Sequence, residues 1–511
     1  MLVFTATATA SVQADVEPVA EAAGGWLESF TATVDAIDGY VWGVPLVVAI
    51  FATGILLTVM LRGLHLFNLK NAFKIMFGRE SASSGDVSQF GALCTALSAT
   101  IGTGNIVGVA TAIGTGGPGA LFWMEVAAFF GMATKYAEGL LAVKYRRITP
   151  RGTILGGPFY YIEKGLSGKF GIKSWKWLAV TFAVFGALAG IMGIGTVTQV
   201  HGITSAVQRF FDPAFDPSDM SAGIRLFGNT YSISVVLSGA AVAALVALVV
   251  IGGLKRIAAV SMVVVPVMAV VYVAVITLLL AGNASKILPA AALVVKAAFN
   301  PAAFTGGMVG SIFIAVQKGV ARGIFSNEAG LGSAPIAAAA ARTDEPVRQG
   351  LVCMTGTFLD TIVICTMTGL AIIVTGAWEP SLGLKGVDVT IEAFSRGLAF
   401  LGPVSGFFSG FFLMTSLAFF AFTTILGWNY YSEKCLEYLA GTSRVKVLYV
   451  FRALYVAMVF AGPYLTVSAV WSIADIFNGL MAFPNLVALV LLSPVVMRVT
   501  KEYFGRGAVG G

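Results

Sequence analysis

The chain has 511 residues, of which 57% are hydrophobic and only 11% are charged. Because soluble domains carry about 25% charged residues, this composition excludes an ordinary soluble protein and indicates a chain that crosses a membrane several times. The net charge of +7 does not indicate a nucleic-acid partner, because in a membrane protein the position of the positive residues matters more than their sum.

Residues 1–41 contain no lysine or arginine. The apolar run at 1–14 resembles a cleavable signal only loosely, because it lacks a positively charged start. We therefore expect residues 1–41 to form an external N-terminal leader, either signal-like or a disordered segment.

Eleven apolar stretches then follow, each near the roughly 20 residues that a helix needs to cross the bilayer. They are predicted at 42–61, 89–113, 119–142, 177–199, 232–252, 257–281, 306–328, 350–376, 403–428, 446–466 and 468–497. Stretches near 286–299 and 388–400 are too polar or too short to span, so they are expected as amphipathic helices in loops. The sequence thus predicts an all-α polytopic membrane protein.

The 32 lysines and arginines support this topology because most of them fall in alternate loops and in the C-terminal tail. The opposite loops contain only Arg209, Arg225, Lys286, Lys296, Lys385 and Arg396. Positive loops face the cytoplasm. We therefore expect an integral protein of the plasma (bacterial inner) membrane, with the N-terminus outside and residues 498–511 as a cytoplasmic tail.

Several kinds of chemistry are missing from the sequence. There is no phosphate-binding G-x-x-x-x-G-K-[ST] loop and no H-E-x-x-H motif, and only two histidines are present. The four cysteines match no zinc or haem spacing. We expect no cofactor and no enzymatic activity. Uphill work would then depend on an ion gradient, which favours a secondary transporter or a channel over a pump.

The second predicted span contains a pattern that favours a broken helix, Gly102-Thr103-Gly104-Asn105. Each glycine inside a helix costs about 1 kcal/mol relative to alanine. Unwinding here would expose free N–H groups at the start of 105–113 to an anion, and carbonyls of 98–101 to a cation. The alternative is a glycine notch for close packing in an unbroken helix.

A second irregular span is predicted at 306–328, with several glycines and with Lys318 and Arg322, which either snorkel to the rim or have a functional role. Residues 89–281 and 306–497 would each contain five spans. Because five is odd, the two halves would have opposite orientations, as in an inverted repeat with its site at the midplane. Residues 42–61 would be one extra helix before this core.

Three motifs resemble the alanine or glycine:cation symporter family. They read SATIGTGNIVG at 98–108, GGPGALFWM at 116–124 and GIFSNEAGLGS at 323–333. The resemblance covers about residues 40–500 and implies a LeuT-type fold. One departure is Glu125, which stands where the family commonly has tryptophan.

The resemblance also implies roles for particular residues. Thr103, Gly104 and Asn105 would bind the substrate carboxylate. Sodium would bind the carbonyls of Ser98, Ile101 and Phe420 and the hydroxyls of Thr423 and Thr424; without the family, the two threonines could simply bond back to their own helix.

Other candidates are weaker. Gln199 and Gln317 could bind the amino acid or be ordinary polar residues. Trp428 could line the pocket or anchor a span end. Asp360 and Glu125 are mid-span carboxylates with a possible role in coupling, and Asp360 could pair with the substrate ammonium, a coupling ion or Arg322. Lys135, Glu138 and Asp475 are expected in structural pairs.

The predicted function is sodium-coupled uptake of a small neutral amino acid, alanine or glycine, by alternating access. The expected partners are this amino acid, Na⁺ and the lipid bilayer, with no nucleic acid. The alternative is an uncoupled or proton-coupled facilitator or channel. The sequence does not fix the ion, the preferred amino acid or the oligomeric state.

Overall fold

The computed structural model describes residues 26–78, 84–149, 154–216, 223–226, 229–300, 312–441, 445–465 and 468–509. Helices make up most of these residues, which confirms the predicted all-α class. The predicted signal-like segment at 1–14 lies outside the described residues, as do the glycines at 306, 307 and 310.

The helices that precede residue 300 are α1 (Trp26–Val41), α2 (Val44–Met60), α3 (Leu64–Phe67), α4 (Leu69–Met76), α5 (Gln89–Thr100), α6 (Val107–Gly116), α7 (Gly119–Tyr145), α8 (Pro158–Tyr160), α9 (Lys176–Met192), α10 (Val197–Phe211), α11 (Ile233–Val250), α12 (Gly253–Gly282) and α13 (Ala284–Phe299). Two small antiparallel hairpins lie in loops: β1 (Arg147–Ile148) pairs with β2 (Ile154–Leu155), and β3 (Ile224–Leu226) pairs with β4 (Asn229–Tyr231).

The later helices are α14 (Ile312–Asn327), α15 (Ala334–Ala338), α16 (Pro346–Thr357), α17 (Thr366–Thr375), α18 (Val387–Gly397), α19 (Ser405–Ala440), α20 (Val445–Ala461) and α21 (Ser468–Val509). A π-helical segment, Phe358–Cys365, joins α16 to α17. Helices α13 and α18 confirm the two helical stretches expected in loops.

Nine helical segments among the described residues are long and apolar enough to cross a membrane. Two predicted spans are not among them, 89–113 and 306–328. The first is divided into α5 and α6 by residues 101–106, and of the second the structure describes only residues 312–328, in which α14 runs from Ile312 to Asn327. The nine apolar helices indicate an integral multi-pass membrane protein.

Helix burial follows the membrane environment. On α12, Val263, Val267 and Val270 are exposed by 59–67%, whereas Met268 and Tyr272 point into the protein and are buried. This is the pattern of a helix with one lipid-facing side. In contrast, α7 is buried along most of its length and packs against α14 and α16. It is the central helix of the bundle.

Part of the segment expected as a leader is helical and packed. Helix α1 lies against α21. The Ser472 hydroxyl donates to Asp35 Oδ1 at 2.5 Å, and Trp42 Nε1, just after α1, donates to the Asp475 carbonyl at 2.8 Å. These contacts attach the residues before α2 to the last long helix.

Arg146 joins the start of α5 to the chain after α15. Its guanidinium donates to the carbonyls of Ala339, Ala341 and Thr343 at 2.6–2.9 Å, and to the Ser84 carbonyl at 2.8 Å. Beside it, the backbone bridge of Val87 and Ala341 runs parallel. The N-terminal end of the first broken helix is thus fixed to the chain that follows the second.

Candidate functional site

The predicted break in the second span is present. Helix α5 ends at Thr100, and Ile101 and Gly102 have extended backbones, with ψ of 99° and −151°. A single 3-10 turn, Thr103–Asn105, follows before α6 begins at Val107. The alternative of a packing notch in an unbroken helix is therefore wrong.

Glycine is needed at position 102 because of a close contact. A Cβ on Gly102 would lie 2.7 Å from Thr424 Oγ1 on α19, closer than non-bonded atoms can approach without a shift. The unwound backbone therefore lies directly against the predicted pair of threonines.

The Asn105 side chain closes the unwound segment on itself. Its Oδ1 accepts the Gly102 N–H at 2.9 Å, and its Nδ2 donates to Asp360 Oδ1 at 2.9 Å. On the other side, Asp360 Oδ2 accepts the hydroxyls of Ser326 at 2.8 Å and Thr361 at 2.7 Å. Asp360 thus connects the first broken helix to the end of α14.

A cavity of about 300 Å³ opens at the break. Its lining comes from the break itself, α10, the end of α14, α19 and α21, and consists of Ala99, Thr100, Gly102, Thr103, Gly104, Ile194, Gln199, Phe325, Glu328, Thr424 and Asn478. Of the predicted substrate residues, Thr103, Gly104 and Gln199 line this cavity, whereas Asn105, Gln317 and Trp428 do not.

The last three residues lie elsewhere. Trp428 is fully buried behind the cavity, and its Nε1 donates to Glu328 Oε1 at 3.1 Å. Gln317 is half-buried on α14, about two helical turns before Phe325. Asn105 contacts Asp360, as described above.

Glu328 is a lining residue that the sequence analysis did not single out. It follows α14 directly and has a left-handed backbone with φ of 55°. The Ser333 hydroxyl donates to its Oε2, while the Trp428 N–H donates to Oε1. A signal was available in the sequence, since Glu328 lies in the Asn-Glu-Ala-Gly motif at the end of the predicted span 306–328.

Two buried acceptors in the lining have no hydrogen-bond partner among the described residues. They are Gln199 Oε1 on α10 and Asn478 Oδ1 on α21. Asn478 was also missed, because a single asparagine in a long apolar helix gives no pattern in the sequence. These two atoms are free to accept hydrogen bonds from a bound molecule.

Of the predicted cation ligands, the hydroxyls of Thr423 and Thr424 both donate to the Phe420 carbonyl of their own helix, and Thr424 also reaches the break at Ile101. Thr424 Oγ1 lies 3.0 Å from the Phe420 carbonyl and 3.4 Å from the Ile101 carbonyl. Thr423 Oγ1 also lies 3.0 Å from the Phe420 carbonyl. The Ser98 hydroxyl donates to Thr95 within α5. The candidate ligand atoms at the break are neutral carbonyl and hydroxyl oxygens, which suit Na⁺.

No cluster of three or more histidine, cysteine or acidic side chains suited to a metal is found in the part of the chain that the structure describes. Glu125 lies apart from the cavity on α7. Neither of its oxygens has a hydrogen-bond partner within 3.5 Å among the described residues, although the Thr366 side chain lies beside it.

Two cationic side chains provide nearby positive charge. Lys135 is buried and interacts electrostatically with Glu138 and Glu328. Arg322 faces Asp475 and Asp38, and its guanidinium carbon lies 5.6 Å from the centre of the Phe325 ring. Arg322 therefore lies beside the cavity wall.

Comparison with known proteins gives a consistent match over most of the chain. Residues 27–510 match the model of the sodium:alanine symporter family. An uncharacterized transporter from Haemophilus influenzae is 50% identical over 93% of this chain and 96% of its own length. The sodium/alanine symporter AgcS from Methanococcus maripaludis is 44% identical over 93% and 97%.

Two further similarities are more distant. The probable sodium/glutamine symporter GlnT from Bacillus subtilis is 35% identical over 92% of this chain and 90% of its own. Among solved structures, MhsT in complex with L-phenylalanine matches with a TM-score of 0.49 and 13% identity, covering 83% of this chain and 99% of MhsT.

Proposed function

The chain belongs to the sodium:alanine symporter family, and from this premise we propose that it takes up a small neutral amino acid, alanine or glycine, together with Na⁺. It is a transporter and not an enzyme. The narrower choice of alanine or glycine is supported by the similarity to the sodium/alanine symporter AgcS, which is 44% identical over 93% of this chain.

The observation that carries this proposal is the unwound segment 101–106 beside Thr424. The amides of Thr103 and Gly104 would bind the substrate carboxylate, because free N–H groups at the start of a helix attract anions. Asn105 would hold the segment in shape through Gly102 and Asp360. A cargo and an ion would thus bind to one short stretch of backbone.

The ion would be Na⁺, held by carbonyls of Ser98, Ile101 and Phe420 and by the hydroxyls of Thr423 and Thr424. The Thr424 hydroxyl already lies 3.0 Å from the Phe420 carbonyl and 3.4 Å from the Ile101 carbonyl. Sodium binding would therefore order the unwound segment and raise the affinity for the amino acid, and the amino acid would raise that for sodium.

The fold proposal is a LeuT-type core of two inverted five-helix halves, 89–281 and 306–497, with eleven membrane passages in all. It is supported by a broken helix at the start of each half. The extra helix at 42–61 would precede this core, with the N-terminus outside and the C-terminus in the cytoplasm. Rocking of the halves would expose the site alternately to the two sides.

One Na⁺ is sufficient to drive accumulation. Its entry across 100 mV releases about 2.3 kcal/mol, and a tenfold sodium gradient adds about 1.4 kcal/mol. Together these support roughly 500-fold accumulation of the amino acid.

Proteoliposome uptake of labelled alanine and glycine tests the proposal. An inward sodium gradient should drive accumulation above the external concentration, and collapse of the gradient should abolish it. Downhill flux that ignores sodium would instead support the facilitator or channel, and accumulation driven by a proton gradient would support proton coupling. Unlabelled glutamine, added as a competitor, tests whether the cavity also admits a longer side chain.

A further inference from the structure

The cavity has two chemically different walls. On one side are the backbone groups of Thr103 and Gly104, where the chain leaves one helix and enters the next. The lining also contains Glu328, directly after α14, and the unpartnered Asn478 Oδ1 on α21. The other unpartnered oxygen, Gln199 Oε1, lies on the backbone side, 3.7 Å from the position that a Cβ on Gly102 would occupy. The site thus offers donors from the backbone and acceptors from side chains.

Glu328 has acceptor capacity that the protein does not use. A carboxylate can accept about four hydrogen bonds, and the described residues supply two neutral side-chain donors, Trp428 N–H and Ser333 O–H. Lys135 acts on Glu328 electrostatically but makes no ion pair with it within 4.0 Å among the described residues. A carboxylate at membrane depth is costly unless a cation compensates it.

The backbone at Glu328 also points to a functional requirement. Its φ of 55° is a left-handed conformation that costs a side-chain-bearing residue energy and that glycine adopts freely. Gly330 and Gly332, two and four residues later, have such conformations without a side chain. What a glutamate adds at this position is its carboxylate in the wall of the cavity.

We infer that Glu328 and Asn478 form an ammonium-binding subsite, in which the Glu328 carboxylate and Asn478 Oδ1 accept N–H donors of the substrate's α-ammonium group. This inference rests on the proposed function and deepens it. The transported molecule is then a zwitterion, with its carboxylate at the unwound backbone and its ammonium at Glu328. Small carboxylates without the amino group lack the partner that these acceptors need.

Glu328→Gln tests the charge with little change of shape. The concentration of alanine for half-maximal uptake should rise about ten- to a hundredfold, because a hydrogen bond to a charged group is lost. The sodium concentration for half-maximal uptake should change less than twofold. The matched control is Glu138→Gln, which removes a buried carboxylate beside the same Lys135 without touching the cavity; its alanine requirement should change less than threefold.

Asn478 gives a second test if Glu328→Gln does not fold. Asn478→Leu removes the free acceptor and should raise the alanine concentration for half-maximal uptake several-fold. Asn478→Asp keeps an acceptor oxygen, and this concentration should stay near that of the wild type. Competition needs no variant at all. In the wild-type protein, glycine and alanine should inhibit uptake of labelled alanine, and propionate at a hundredfold excess should not.

The outcomes separate this inference from the function. If alanine is not accumulated with sodium, the proposed function itself fails. If it is accumulated, but propionate competes as well as alanine and Glu328→Gln keeps the wild-type requirement, the ammonium subsite is overturned while symport stands.

Discussion

The two broken helices leave the helical path in different ways. After α5, Ile101 and Gly102 are extended, and no residue from 101 to 106 has a positive φ. After α14, the chain turns through left-handed conformations at Glu328, Gly330 and Gly332, with φ of 55°, 90° and 85°. At the first break, the close contact with Thr424 restricts the residue at position 102 to glycine. At the second, the positive φ values favour glycine.

The two breaks also offer different chemistry to the cavity. The first contributes bare backbone beside Thr424, while the second contributes the carboxylate of Glu328 and is fixed in place by its neighbours. Asn485 Nδ2 donates to the Gly330 carbonyl at 2.9 Å, and Glu138 Oε1 accepts the Gly330 N–H at 3.2 Å. Substitutions in the first break should therefore alter ligand binding, and those in the glycines of the second should alter stability.

The largest effect is expected for Gly102→Ala. Its Cβ would lie 2.7 Å from Thr424 Oγ1, so the unwound backbone or the threonine must shift. Such overpacking costs about 1–3 kcal/mol, and we expect sodium-driven alanine uptake to fall about tenfold to a hundredfold. The control is Gly108→Ala on α6, where an added Cβ has nothing within 4 Å and uptake should stay near wild type. Equal uptake by the two variants would contradict this account of the first break.

Next in size is the loss of the threonine hydroxyls. Thr424→Val keeps the shape of the side chain but removes the oxygen that lies between Ile101 and Phe420. We expect the sodium concentration for half-maximal uptake to rise about tenfold, as one ligand worth roughly 1.4 kcal/mol is lost. Thr423→Val should raise it less, since its hydroxyl does not contact α5 in the described structure. An unchanged sodium requirement in both variants would refute the ion site.

Asn105→Ala should have an intermediate effect through the shape of the segment. It removes the acceptor for the Gly102 N–H and the donor to Asp360. We expect the alanine requirement to rise about fivefold, which corresponds to roughly one net hydrogen bond. Equilibrium binding of labelled alanine measures this. Wild-type affinity would show that Asn105 does not support the segment that binds the amino acid.

The smallest effect on transport is expected for Gly330→Ala. A side chain in this left-handed conformation costs about 1–2 kcal/mol, and the added Cβ would press on Ile50 and Leu486 at 3.1–3.3 Å. Thermal unfolding in detergent should therefore occur at a lower temperature, while the sodium and alanine requirements of the folded fraction stay within twofold. A large shift in the sodium or alanine concentration for half-maximal uptake would show that the second break contributes to ligand binding as well as to stability.

The sequence predicted the fold class and the first break well, because both depend on local composition. The two glycines before Asn105 weaken the helix locally, by about 1 kcal/mol each relative to alanine. The second break was placed less accurately. In the described part of the predicted span 306–328, Gly319 and Gly323 lie within the continuous helix α14, and the chain leaves the helix only at Glu328, in a turn with positive φ at Glu328, Gly330 and Gly332.

Residues that enter the cavity from distant helices could not be found in this way. Asn478 lies in a long apolar helix, and hydropathy cannot tell which side of that helix faces a cavity. For Trp428 the residue type suggested a pocket wall or a membrane anchor, whereas it lies fully buried behind Glu328. Such positions depend on contacts between chain segments about 100 residues or more apart in the sequence.

The central claim is that one unwound segment binds the amino acid and Na⁺ together. Equilibrium binding to the purified protein tests it most directly, with alanine titrated at saturating sodium and in potassium alone, and sodium titrated with and without alanine. We predict that each ligand tightens the other by the same factor, about 5- to 150-fold. Alanine binding of equal strength in sodium and in potassium would contradict the claim.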